Sequence, residues 1–200
     1  MNRDKMMKTA RNFDIGAKVV GGIMGVTSIV MVVFAVLALI LKDKLFQQGS
    51  LSLDMEFATV YLTDAYQVVN DGIVLHGVVV LLLLAMIFLV ISYGCKLVRR
   101  ILAPMCEGRP FEESVPANLR KIAWTVLAGG LLMEINKLVD GIFYEKHFPL
   151  EKLFAANVVE KVEYSHTIDF GFVFAGCMIL LLSYVFAYGQ QLQKESDETL

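Results

Sequence analysis

The stretch that decides the fold is "LRKIAWTVLAGGLLMEINKLVDGIFY", Leu119 to Tyr144. Its first half is apolar from Ile122 to Met133, and its second half carries Glu134, Asn136, Lys137 and Asp140. Read as a membrane helix, it makes the chain a four-span protein with both ends on one side. Read as a soluble segment, it leaves three spans and ends on opposite sides. Its length matches the ~20 residues that cross a ~30 Å hydrocarbon layer at 1.5 Å per residue. Arg120, Lys121 and Trp124 mark one interface, and Phe143, Tyr144 and His147 mark the other.

Three further runs flank it. "VVGGIMGVTSIVMVVFAVLALIL", Val19 to Leu41, and "FGFVFAGCMILLLSYVFAYG", Phe170 to Gly189, carry no formal charge, and Ile73 to Cys95 carries only His76. Apolar residues make up 56% of the chain, above the roughly 45–50% of soluble domains, and the excess sits in these runs. The fold class expected is an all-α membrane protein: a four-transmembrane-helix bundle with spans at about 19–41, 73–95, 120–144 and 170–189. The basic start fits a signal peptide, but 23 apolar residues exceed an h-region of about 7–15, so the first helix is expected to be retained.

A net charge of −2 hides the asymmetry that gives orientation. Arg3, Lys5, Lys8, Arg11 and Lys18 precede the first run, and six basic residues lie between Lys96 and Lys121. The segments 42–72 and 145–169 are acidic on balance. Short Lys/Arg-rich loops stay inside, so the N- and C-termini are expected to be cytoplasmic. Cys95, Cys106 and Cys177 form no metal-spaced set, and no cofactor, metal or disulfide is expected.

The polar half of the third span places Glu134 about 15 Å below Tyr144, with Lys137 and Asp140 shallower. Their i,i+3 steps put Glu134, Lys137 and Asp140 on roughly one face. One reading is an outward-opening polar pocket of His76, Glu134, Asn136, Lys137 and Asp140 that binds an ion, a proton or a small ligand. The other is an ion-paired strip that fixes helix register and snorkels toward the surface.

In the first external loop, Leu51 to Ala58 alternates apolar and polar residues, as a strand does. A weaker alternation from Lys161 to Ile168 offers a partner, giving a small extracytoplasmic β element. Gly21 and Gly25 make a GxxxG step, expected to serve packing within the bundle, with a homodimer seam as the competing use. Lys96 to Leu102 is expected to continue the second helix past the membrane, with a turn at Gly108 and Pro110. Ser114 is placed to cap the next helix. The basic residues there read as anchors to lipid headgroups, and no direct nucleic-acid binding is expected.

"EGRPFEESVPANLRKIAW", Glu107 to Trp124, and "FAYGQQLQKESDETL", Phe186 to Leu200, together resemble the bacterial four-helix membrane family catalogued as domain of unknown function 2975. The matching positions are Gly108, Pro110, Phe111, Asn118, Leu119, Arg120, Gly189, Leu192, Gln193, Glu195, Asp197 and Thr199; Tyr188 departs from the basic residue of that ending. The resemblance implies four spans, a location in a bacterial cytoplasmic (inner) membrane and a cytoplasmic helix-turn-helix regulator as partner. On that analogy the docking surface would comprise Gly108, Pro110, Phe111, Leu192, Gln193, Glu195, Asp197 and Thr199. It supplies no catalytic residue.

Three function classes follow. A regulatory or sensory membrane protein would relay an envelope or peptide signal to a cytoplasmic partner. A small transporter or ion-coupled permease would use Glu134 as its coupling carboxylate. An enzyme is not expected, because His76, His147 and His166 sit in no recognisable catalytic or metal spacing.

Overall fold

The computed structural model describes residues 3–41, 52–55, 58–61, 70–108, 112–147 and 167–198. Four helices dominate: α1 (Arg3–Ile40), α2 (Asn70–Cys106), α3 (Ser114–His147) and α4 (Gly171–Glu198). Each is long and apolar enough to cross a membrane. The chain is therefore built as a multi-pass membrane protein. Its contacts divide into two units, one of residues 1–29, 85–135 and 168–200, the other of residues 30–84 and 136–167.

Burial in these helices is inverted relative to a soluble protein. Ile23, Val26, Ile29, Phe34, Leu75, Leu89, Phe174 and Leu181 all point outward. The interior instead holds Ala35, Ala85, Ala123, Ser28, Ser92 and Ser183. In lipid, large apolar side chains gain nothing by turning inward, and close backbone approach through small residues supplies the association energy.

Within the first unit the helices pack as antiparallel neighbours in chain order. α1 meets α2 along a seam of polar and small residues. Asp14 pairs with Arg99 at 2.9 Å. The Ser92 hydroxyl donates to the Gly21 carbonyl at 2.8 Å, and Ser28 donates to the Ala85 carbonyl at 2.8 Å. The contact residues Asp14, Gly21 and Ser28 are spaced by seven, as are Ala85, Ser92 and Arg99. Heptad spacing keeps one stripe of each helix facing the other over several turns. In the second unit, Ala35 and Val78, the next heptad positions of the two helices, belong to one apolar cluster with Val74.

The GxxxG step serves this seam. A Cβ on Gly21 would sit 2.8 Å from Cys95 Cβ, and one on Gly25 would sit 3.3 Å from Ser92 Oγ. Its use is intramolecular, as the residue spacing suggested. Gly129 packs likewise toward Val90 of α2, and Gly176 of α4 lies against Leu127 of α3.

The helices overrun the expected spans. At 38 residues α1 is about 57 Å long, nearly twice the hydrocarbon thickness. Its early turns hold because Ala10 is buried and Asp14 reaches Arg99, while Lys5, Lys8 and Arg11 are exposed. α2 continues to Cys106 with Leu97, Ile101 and Pro104 buried and Lys96 and Arg100 exposed. That is the amphipathic pattern of a helix in water, so the surroundings of α2 change near Lys96. Pro104 is accommodated in the last turn; its carbonyl accepts from the Glu107 N–H at 3.1 Å. Gly108 then turns the chain with φ 77°, where a side chain would be strained.

The strand expected across Leu51 to Ala58 is two strands. β1 (Ser52–Met55) pairs antiparallel with β2 (Ala58–Tyr61), Met55 opposite Ala58. The chain pairs with its immediate continuation, whose Thr59, Val60 and Tyr61 favour a pleated backbone. The partner expected from the second loop falls on residues 161–166, outside the described residues.

If the Gly21 contact holds α1 on α2, Gly21→Val destabilises by about 1–3 kcal/mol through overpacking. Gly22→Val, whose Cβ meets nothing within 4 Å, should be near neutral. Thermal unfolding in detergent separates the two; equal effects would refute the seam.

Candidate functional site

The polar residues of α3 divide between the two units. Glu134 is 7% exposed, and its Oε2 accepts the Asp169 backbone N–H at 3.3 Å. Asp169 Oδ1 in turn accepts the Gly171 N–H at 2.8 Å, and Phe170 begins the helical ladder by accepting from Val173 and Phe174. Two carboxylates thus stand at the start of α4, where the orphan N–H groups and the positive end of the helix dipole favour negative charge. Glu134 anchors α4 to α3. Gly130, one turn below Glu134, gives room to Phe172 in the first turn of α4.

The second group begins two residues further along α3 and extends over about two turns. Asn136 and Asp140 share a face by i,i+4 spacing, and Asn136 Nδ2 donates to Asp140 Oδ2 at 3.3 Å. Across from them on α2, His76 Nε2 lies 3.0 Å from Asp140 Oδ1. A carboxylate can only accept, so this ring nitrogen carries the proton. The His76 ring stacks on Phe143 with centroids 3.8 Å apart and planes within 2°. Tyr144 meets both rings edge-on. Among the described residues, Asn136 Oδ1 is the buried side-chain polar atom left without a hydrogen-bond partner. A donor brought to this cluster, an N–H, an O–H or a cation, would satisfy it.

The five residues expected to form one pocket are thus described as two sets: Glu134 with the α4 start, and His76, Asn136 and Asp140 together. Lys137 is exposed, so it does not share the buried setting of Glu134. The sequence reading missed Phe143 as a platform for His76, although its i,i+7 step from Asn136 was visible. Among the described residues no group of three His, Cys, Asp or Glu side chains is arranged to hold a metal ion.

A third feature lies where α2 turns into α3. A cavity of about 300 Å³ is lined by Arg100, Pro104, Glu107, Glu112, Ser114 and the buried Asn118. Ser114 opens α3, but its hydroxyl donates to Glu112 Oε1 at 3.4 Å instead of capping the helix. Of the residues expected to dock a partner, Gly108 forms the turn beside this cavity. Pro110, Phe111 and Thr199, with the Asp197 side chain, lie outside the described residues. Leu192, Gln193 and Glu195 are exposed on α4, which runs on to Glu198 as helix, with Gln191 bonded to Glu195 at 3.0 Å. The residues past Gly189 thus extend the helix, since Gln, Leu, Lys and Glu are good helix formers.

The fold and these clusters define a small multi-pass membrane protein with paired polar groups inside its helices. No family model, no curated protein and no solved structure matches the chain.

The Glu134 anchor predicts that Glu134→Ala lowers stability by about 1.5–3 kcal/mol, the range for losing a hydrogen bond to a charged group. Glu134→Gln retains an acceptor and should lose less than half of that. Unfolding temperatures in nanodiscs give the comparison, and an unaffected Glu134→Ala protein would remove the anchor role.

Proposed function

We propose that the protein is a regulatory or sensory component of a bacterial cytoplasmic membrane, relaying an envelope signal to a soluble cytoplasmic partner. The observation that carries this reading is the His76–Asp140–Asn136 cluster with its unsatisfied buried Asn136 oxygen. Ionisable groups inside a membrane helix are expensive, and a set left one bond short is a natural receptor for a small polar ligand. The charge asymmetry assigns the cluster to the outer half and both ends of the chain to the cytoplasm. The β1–β2 hairpin then lies outside, and the cavity beside Gly108 and the exposed helix 190–198 lie inside. The resemblance to the four-helix family of unknown function adds a helix-turn-helix regulator as the partner.

The alternative, an ion-coupled permease working through Glu134, is weaker. A coupling carboxylate must exchange partners with its ion, whereas Glu134 is buried against the start of α4. The cluster around Asp140 is the better ion site, which keeps a transport reading in view only for that residue.

Affinity purification from the native host in mild detergent tests the relay. The expected result is a stoichiometric soluble DNA-binding protein that is lost when residues 190–200 are deleted. Retention of that partner by the truncated chain, or recovery of no partner, would count against it.

A further inference from the structure

We propose that the furrow between α2 and α3 is a binding site for one anionic phospholipid. The furrow has a volume of about 630 Å³, within the ~300–1,000 Å³ of typical ligand sites. It exists because small residues draw the two helices together. Gly94 meets Thr125, Gly129 meets Val90, and the larger side chains on either side stand up as walls.

The furrow has two chemically different ends. Leu89, Val90 and Ala128 line one, and Lys96 and Lys121 line the other. From Leu89 to Lys96 is about 10 Å along the helix, enough for the upper part of an acyl chain. Tyr93 and Trp124 stand between, where amphipathic rings sit at a membrane interface. This is the layout of a lipid: hydrocarbon along the apolar half, phosphate at the lysines.

The charge state of the neighbourhood selects the headgroup. Arg99 is paired with Asp14, and Arg120 lies over the Tyr184 ring at 5.7 Å. Lys96 and Lys121 have no ion pair among the described residues. Two adjacent ammonium groups facing one apolar furrow favour a net negative headgroup over a zwitterionic one, whose own cation they repel. A protein helix in the same furrow would have to bring two acids to one end of an apolar surface. A lipid carries that combination by its nature.

The chain has a single tryptophan, and it lines the furrow, so its fluorescence reports on lipid at this face of α3, and site binding appears as a preference over the surrounding lipid. The full chain is reconstituted in phosphatidylcholine nanodiscs containing a small, equal mole fraction of dibrominated phosphatidylglycerol or dibrominated phosphatidylcholine. Quenching of Trp124 should reach half-maximum at roughly tenfold lower fraction for the glycerol lipid. The preference should vanish in the Lys96→Gln/Lys121→Gln double variant and persist in Lys5→Gln/Lys8→Gln, which changes exposed lysines elsewhere. Equal quenching by the two lipids in the native chain would overturn the site. So would a preference that survives the Lys96/Lys121 change.

Discussion

Everything in this molecule rests on the contact of α1 with α2, and that contact cannot use the hydrophobic effect. Inside a bilayer a leucine facing lipid is as well placed as one facing a neighbouring helix. Two helices stay together only where their backbones come close and their few polar groups find each other. Gly21, Ser28, Ala85 and Ser92 do both, since each is small and the two serines reach across to helix carbonyls. Each such bond is worth about 0.6 kcal/mol on average, so a repeated seam is needed where one contact would fail. The seven-residue spacing supplies the repetition, and the Asp14–Arg99 pair ends it with a charged contact.

The same rule accounts for where polar residues are tolerated. Glu134 is admitted because the first turn of α4 offers N–H groups that helix geometry leaves unsatisfied. Asp140 is admitted because His76 and Asn136 donate to it and Phe143 covers the imidazole. Each acid is met by groups that a helix or a ring would otherwise leave exposed to lipid. Beyond Lys96 the requirement lapses, and α2 buries Leu97 and Ile101 as a soluble helix would. Two features depart from the rule: the Asn136 oxygen that lacks a donor, and two lysines facing a furrow of apolar walls.

Much of this was legible in the residues. Charge-free runs longer than twenty residues mark three helices directly, and the interfacial Arg120, Trp124 and Tyr144 identify α3 despite its polar half. His76, Asn136 and Asp140 were legible only as members of a five-residue polar group with Glu134 and Lys137, because polar residues inside membrane helices are rare. The overrun of α2 was read from Lys96 to Leu102, but those of α1 and α4 were not, because Arg3 to Lys18 and Gln190 to Glu198 lack a continuous apolar stripe. Nor was the assignment of Glu134 to the start of α4, which depends on a partner 35 positions away. Alternation marked a strand at Leu51 to Ala58 and left its pairing open: β1 pairs with its own continuation, and the partner expected from the second loop falls on residues outside the described ones.

The account stands or falls on which face of α1 meets protein. Spin labels placed singly from Val19 to Ile40 in a bilayer report that face through their accessibility to dissolved oxygen. The seam predicts a helical periodicity with minima at positions 21, 28 and 35 and maxima at residues such as Val26 and Val33. Uniformly high accessibility along α1, or minima displaced to the opposite face, would contradict it.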